Sequence, residues 1–380
     1  MQFVDLRKQY EILREEIDGN IANVLQRAHF IAGPEVKELE AQLAEYVGVK
    51  HCVTCANGTD AMELVLLAWG IGKGDAIFVP TFTFMSTAEV VASVGAQPVF
   101  VDIDADTFNI DPDKLEQAII QAKDQGKYNL KAIIPVDLFG LPADYNRINR
   151  IAKKYGLLVL EDGAQGFGGS INGKNACSFG DAATTSFFPA KPLGCYGDGG
   201  AIFTNNKNLA SFLRSLCVHG KGKEKYDNVR IGRNSRLDTL QAAILLVKLK
   251  AFKEYELEAR NKWAEEYSKQ LSGVAKTPLV PEGYMSSWAQ YTIMLENKTQ
   301  RDALQARLKE KGIPSMIYYP KPLHLQQAFR FVGCSKGNFP VSENASNRVL
   351  SLPMHPYLTE EDINTVCDVI KEFIKENKNL

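Results

Sequence analysis

Residues 184–194 read Thr184-Thr185-Ser186-Phe187-Phe188-Pro189-Ala190-Lys191-Pro192-Leu193-Gly194, which sets one lysine between a strand-like run and a glycine-rich loop (Gly194, Gly197, Gly199, Gly200). With Phe187 and Phe188 nearby, apolar surroundings would favour loss of its proton, making Lys191 a nucleophile. A second group lies at the end of Leu157-Leu158-Val159-Leu160-Glu161-Asp162, with Gln165 close behind. A carboxylate at the rim of a buried strand can pair with a protonated ring nitrogen and keep it charged. A third is Asn57-Gly58-Thr59-Asp60 ahead of the helical run Ala61-Met62-Glu63-Leu64-Val65. Free N–H groups and the positive end of a helix dipole make such a turn an anion site. The fourth, Gly232-Arg233-Asn234-Ser235-Arg236, offers an amide and two cations before a long helix.

Each group also has an ordinary explanation when taken alone. Lys191 reads equally as a solvated loop lysine, Asp162 as a turn-capping acid, and Thr59 or Asp60 as a plain N-cap. Arg233 and Arg236 read as surface charges beside a capped helix. Gly70-Ile71-Gly72-Lys73-Gly74-Asp75 partly matches a dinucleotide-binding loop, but it follows a helix and precedes a strand. Phosphate loops run in the reverse order, so this segment is a helix stop and turn. Cys52 and Cys55 form a lone C-x-x-C without a second pair or clustered histidines, which points to a reduced, partly buried pair rather than zinc.

The elements that must carry these residues follow from periodicity. Segments 76–79, 98–101, 132–136 and 157–160 are apolar almost throughout, as expected of parallel strands covered on both faces. They alternate with helical patterns between about residues 50 and 205, which implies right-handed crossovers and ligands at the carboxyl ends of the strands. The first ~45 residues read as helical, with Val36, Leu39 and Leu43 at helix spacing. A long helix is expected from Arg236 to about Lys269, then a strand over 288–295 and helices over 299–311 and 359–376. The fold class is therefore α/β, divided into a large unit over residues 1–250 and a smaller C-terminal α+β unit over residues 251–380.

Composition sets the remaining bounds. A net charge of −1 over 380 residues gives no electrostatic footprint for nucleic acid or an anionic membrane. Seven scattered cysteines do not suggest a disulfide framework. Met1-Gln2-Phe3-Val4-Asp5-Leu6-Arg7-Lys8 carries charges where a signal peptide needs an apolar run, and no apolar stretch approaches the ~20 residues of a membrane span. The expected location is cytoplasmic, and the three Asn-x-Ser/Thr patterns then carry no meaning.

Taken together and in this order, the four groups resemble the DegT/DnrJ/StrS sugar aminotransferases, fold type I enzymes that use pyridoxal 5'-phosphate (PLP). The resemblance runs from Gly33-Pro34-Glu35-Val36 to Leu352-Pro353-Met354-His355-Pro356. It implies a seven-stranded, mainly parallel sheet with helices on both faces. It implies that Lys191 holds the cofactor covalently, that Asp162 pairs with the pyridine nitrogen, and that Gln165 lies near the ring oxygen. Gly58, Thr59 and Ser186 would bind the phosphate, and Phe84, in Thr83-Phe84-Met85-Ser86-Thr87, would stack on the ring. Asn234 would reach the phosphate of a neighbouring subunit, making a homodimer the catalytic unit, with Arg236 supporting that loop. L-glutamate would displace Lys191 from the cofactor, and the freed lysine would shuttle a proton as base and then acid. The keto sugar would then enter and the steps run in reverse.

The stretches 191–200, 234–243 and 351–356 look closest to enzymes that aminate UDP-2-acetamido-2-deoxy-3-oxo-glucuronate on the way to surface polysaccharides, including lipopolysaccharide O-antigen. A uronate carboxylate needs a cation, and Arg230, just before the Asn234 loop, is the candidate. Tyr319 and His324 match family positions near the sugar nucleotide. Tyr318 stands where that subgroup carries histidine, which leaves a UDP-linked 4-keto-6-deoxy sugar as the alternative. More distant alternatives are a PLP-dependent dehydratase, in which histidine replaces the lysine in some relatives, and a non-catalytic binding protein.

Overall fold

The computed structural model describes residues 1–224 and 226–377, so the last three residues of the expected C-terminal unit lie outside the described residues. Two helices, α1 (Leu6–Arg27) and α2 (Pro34–Val47), precede β1 (His51–Cys55). Helices and strands then alternate: α3 (Gly58–Ala68), β2 (Asp75–Pro80), α4 (Ser86–Ser93), β3 (Gln97–Val101) and α5 (Pro112–Gln125). They continue with β4 (Asn129–Ile133), α6 (Tyr145–Tyr155) and β5 (Leu158–Asp162). A small ribbon, β6 (Ser170–Ile171) and β7 (Lys174–Asn175), leads to β8 (Ala182–Ser186), β9 (Gly200–Thr204) and α7 (Lys207–Leu216). Then come α8 (Thr239–Ala251), α9 (Leu257–Leu271), β10 (Tyr284–Met285) and β11 (Tyr291–Met294). The chain closes with α10 (Lys298–Glu310), α11 (Pro340–Arg348), β12 (Val349–Leu352) and α12 (Glu360–Glu376).

The central sheet has seven strands in the order β1-β9-β8-β5-β4-β2-β3. Every strand runs parallel except β9, which is antiparallel to both β1 and β8. The expected strands at 76–79, 98–101 and 157–160 lie in β2, β3 and β5. The expected strand at 132–136 stops earlier, at Ile133, although Val136 still forms a single bridge with Asp162. Phe78, Ile133 and Val159 pack on one face with Leu115 and Ile148, while Ile77, Val79 and Leu160 pack on the other with Leu64 and Val91. Burial on both faces is the physical cause of the unbroken apolar runs.

Local signals set many boundaries. Asp144 Oδ1 accepts from Arg147 N at 3.0 Å to open α6, and Thr359 and Asp362 form a capping box on α12. The glycine segment after α3 is the turn expected of it, with Gly70 and Gly74 at positive φ between Ala68 and Asp75. The long helix expected over 236–269 is real but not uniform. A π-helical turn at Phe252–Glu256 joins α8 to α9. Beyond it, β11 and β12 pair antiparallel and pack with α9, α10 and α12 around Tyr267, Tyr291, Leu304, Leu352 and Ile370. Among the described residues no helix is long and apolar enough to cross a membrane.

Candidate active site

The carboxyl ends of the parallel strands converge on one edge of the sheet, as open α/β sheets require of a ligand site. Asp162 closes β5. Its backbone is fixed on both sides, N to Pro135 O at 2.9 Å and O from Asp137 N at 3.1 Å. Its buried carboxylate accepts from Thr87 Oγ1 at 2.9 Å and from Ala164 N at 3.2 Å. Burial pushes the carboxyl above its ordinary value, while Thr87, the Ala164 N–H and the charge of Lys191 pull it down. Lys191 follows β8, its N–H bonded to Phe188 O at 2.9 Å. Burial pushes its amine below the ordinary lysine value, opposed by the charge of Asp162. Lys191 and Asp162 thus act on each other electrostatically, although one lies in the connection from β8 to β9 and the other ends β5.

Ser186 ends β8 and meets the start of α3. A Cβ placed on Gly58 would lie 2.8 Å from Ser186 Cβ, and one on Gly200 would lie 2.5 Å from the Asn57 carbonyl. Three chain segments approach there with no room for further side chain, and the first N–H groups of α3 have no partner inside the helix. The cap of α3 is Asn57, whose Oδ1 accepts from Asp60 N at 2.8 Å, rather than Thr59 or Asp60. Thr59 is therefore not needed for capping. An oxyanion suits this turn, because the dipole and open N–H groups favour negative charge.

Gln165 is held at three atoms: Oε1 by Phe139 N at 2.6 Å, Nε2 to Tyr319 OH at 3.1 Å, and its carbonyl by Ser287 Oγ at 2.6 Å. Tyr319 also faces Phe84, ring centroids 6.5 Å apart. Phe84 is 56% exposed, far more than a phenylalanine needs for packing alone. Burial raises the Tyr319 phenol above its ordinary value, so it is neutral across the physiological range. Thr87, Ser287 and Phe139 have no assigned role in the sequence reading. Thr87 stands out in retrospect as a polar residue one helical turn beyond Phe84.

The other expected residues sit elsewhere. The Arg230 guanidinium lies 4.3 Å above the Phe212 ring and donates to Ser215 Oγ. Asn234 is exposed and bridges Val218, while its neighbour Ser235 accepts from Ala56 N at 3.1 Å beside the α3 turn. Arg233 is bound to Glu63 at 2.6 Å. His324 has a fully buried side chain, its Nε2 3.0 Å from Glu343 Oε1 and its ring against Phe339. Its imidazole packs between Glu343 and Phe339. Cys52 and Cys55 enter different cores, one with Leu43 and Phe203, the other with Met62 and Leu213.

Comparison with known proteins gives this arrangement its family. The chain belongs to the DegT/DnrJ/EryC1/StrS aminotransferase family, whose model matches residues 11–371. It is similar to the UDP-2-acetamido-2-deoxy-3-oxo-D-glucuronate aminotransferase of Pseudomonas aeruginosa, 49% identical over 97% of this chain and 98% of that one. A pleiotropic regulatory protein of Geobacillus stearothermophilus is 46% identical over 98% of each chain. The UDP-N-acetyl-3-dehydro-alpha-D-glucosamine 3-aminotransferase of Acidithiobacillus ferrooxidans is 44% identical over 97% of this chain and 96% of that one. Among solved structures, a DegT/DnrJ/EryC1/StrS aminotransferase from Brucella abortus superposes with TM-score 0.95 at 53% identity, covering 98% of this chain and 99% of that one. NtdA of Bacillus subtilis, solved with the cofactor PMP, superposes with TM-score 0.85 at 32% identity, covering 96% and 82%. The protein is accordingly a PLP-dependent aminotransferase.

Proposed function

We propose that the protein transfers the amino group of L-glutamate to the keto group of UDP-2-acetamido-2-deoxy-3-oxo-glucuronate, in the cytoplasm, for a surface polysaccharide such as lipopolysaccharide O-antigen. The observation that carries the chemistry is the buried Asp162 carboxylate at the end of β5, held by Thr87 Oγ1 and Ala164 N, with half-buried Lys191 near enough to act on its charge. The identity with the Pseudomonas enzyme over nearly the full length of both chains supports the acceptor. PLP, when bound, supplies an electron sink for the carbon that loses its proton.

The chain's own residues do the rest. Asp162 holds a ring nitrogen in its protonated form. Lys191, its amine pushed down by burial, would hold the cofactor and would afterwards take and return the proton at the amino-bearing carbon. Gly58, Thr59 and Ser186 would hold the phosphate at the start of α3, and Phe84 would stack on the ring. Gln165, clamped by Phe139 N and Tyr319, presents its amide to the ring oxygen. Tyr319 also borders the sugar. His324, with Nε2 held by Glu343, is assigned with Tyr319 to the neighbourhood of the sugar nucleotide. Asn234 of one subunit completes the phosphate site of the other, so the homodimer is the working unit. Residues 1–250 form the cofactor-binding unit and residues 251–380 the smaller one.

Arg230 is assigned to the uronate carboxylate, which requires it to leave Phe212 and Ser215. Its engagement there favours a second reading, in which the acceptor is an uncharged 4-keto-6-deoxy sugar on UDP. The test follows the visible absorbance of the lysine-bound cofactor. L-glutamate should bleach it, the 3-oxo-glucuronate should restore it, and Lys191→Ala should never show it. A band indifferent to glutamate overturns the aminotransfer reading. Restoration by the 4-keto-6-deoxy sugar alone overturns the uronate.

A further inference from the structure

Beneath Asp162 lies an acidic pair that amino transfer does not use. Asp137 and Glu161 are both 0% exposed. Glu161 precedes Asp162 on β5, so the two side chains point to opposite faces of the sheet. Asp137 follows Val136, which bridges Asp162. The Asp137 and Glu161 carboxyls are in hydrogen-bonding reach of each other. Among the described residues, titratable groups facing the pair from neighbouring elements include Tyr145 on α6, Cys177 before β8, Tyr284 on β10 and Asp162, and none of these four is a cation. Two carboxylates so placed in a low dielectric cannot both stay charged, so one of them holds a proton.

The donors around them say which. Glu161 Oε1 accepts from Cys177 N, and Oε2 accepts from Phe179 N at 2.7 Å. Burial raises the Glu161 carboxyl to about 7, but the N–H groups of Phe179, Cys177 and Gly180 pull it down, whereas Asp137 stands well above its usual range, so the shared proton rests on Asp137 and Glu161 is the carboxylate. Asp137 Oδ1 accepts from Ala143 N at 3.0 Å and Tyr145 OH at 2.8 Å. Asp137 Oδ2 is buried and receives no N–H or O–H donor. That oxygen has room in its hydrogen bonding for a proton and no other use.

We propose that Asp137 is a carboxylic acid at neutral pH that donates its Oδ2 proton to the Glu161 carboxylate, and that this pair is a positioning unit beneath Asp162 and Gln165. The pair joins residues 137–145 to residues 161–179. Phe139, two residues after Asp137, supplies the N–H that fixes Gln165. A Cβ on Gly166 would lie 2.3 Å from Asp137 Oδ2, so the turn bearing Gln165 passes directly over the acid. Which sugar is aminated has no bearing on this assignment.

Burial, reinforced by the charge of Glu161, holds the Asp137 carboxyl well above its usual range. An acid whose folded value is raised lends stability that is present at low pH and lost as pH rises through that value. Asp137→Asn keeps an acceptor at Oδ1 and a donor toward Glu161 but cannot titrate. The decisive measurements on the holoenzyme are infrared difference spectra at neutral pH and melting midpoints from about pH 6 to about pH 10. Wild type should show a carboxylic-acid carbonyl band that is missing from D137N. As pH rises above the ordinary aspartate value the wild-type midpoint should fall more steeply than that of D137N, which keeps only the decline contributed by the buried thiols and phenols. Asp137→Ala, lacking the donor, should melt below D137N throughout, and Glu161→Gln, which turns an acceptor toward N–H groups into a donor, should melt below D137N as well. An acid band retained in D137N, an equally steep alkaline fall in D137N, or E161Q milder than D137N each overturns the proposal. If D137N does not fold, absence of the acid band from wild type overturns it and presence supports it.

Discussion

Thr87 Oγ1 donates a 2.9 Å hydrogen bond to Asp162 Oδ2, tying the first turn of α4 to the end of β5 across 75 positions of sequence. The bond favours the charged carboxylate that burial opposes. Thr87→Val keeps the shape and removes the donor. The Asp162 value then rises, and because the anion is the working form, the acid limb of kcat/KM should move to higher pH. Losing one bond to a charged group costs about 1.5–3 kcal/mol, so cofactor affinity should fall by roughly ten- to a hundredfold. A pH–rate profile and a PLP titration check both; an unmoved acid limb contradicts the role given to Thr87.

Asp162→Asn removes the charge that holds a ring nitrogen protonated. Amino transfer should slow by at least about a hundredfold, the scale of losing one preorganised electrostatic partner. Lys191 should still bind the cofactor, since burial and not Asp162 is what lowers its amine. Single-turnover bleaching with L-glutamate measures the rate, and a value within a few-fold of wild type would exclude the assignment.

Gly58→Ala places a methyl 2.8 Å from Ser186 Cβ, where backbone on both sides limits relaxation. Overpacking of this kind costs about 1–3 kcal/mol, and the phosphate turn opens with it. PLP content after purification and the melting midpoint should both drop. Gly19→Ala is the matched control. It lies inside α1 with nothing within 4 Å of the added carbon, and should stabilise by about 0.5–1 kcal/mol.

Tyr319→Phe deletes the hydroxyl that accepts from Gln165 Nε2 at 3.1 Å, while Phe139 N still holds Oε1. One neutral bond is worth about 1 kcal/mol, so kcat/KM for the acceptor should fall roughly fivefold. Tyr319 is raised by burial and stays neutral, so the variant should leave any alkaline limb of the profile in place. Loss of that limb in the phenylalanine variant would mean that the phenol itself titrates.

Much of the molecule was legible because its signals are local. Apolar runs covered on both faces marked β2, β3 and β5, helix spacing of Val36, Leu39 and Leu43 marked α2, and the helices expected over 299–311 and 359–376 are α10 and α12. The strands β1 and β9 escaped the reading, and β8 was marked only as a strand-like run before Lys191. Ala182-Ala183-Thr184-Thr185-Ser186 and Gly200-Ala201-Ile202-Phe203-Thr204 are rich in small residues, and only their buried central positions make them strands. The cap of α3 was assigned to the wrong residues because Thr59, Asp60 and Asn57 are all competent caps, and only backbone geometry selects Asn57.

By itself the sequence determined the α/β class, the order of its motifs and the presence of Lys191, Asp162, Gln165 and the Gly58 turn, since each is written in neighbouring residues. Only the tertiary structure decided that β9 runs antiparallel, that Thr87 reaches Asp162, that His324 packs against Glu343, and that Asp137 and Glu161 meet. Each of these joins side chains far apart in the chain. Sheet order brings them together, and local periodicity specifies which face a residue takes without specifying which distant residue it will find there.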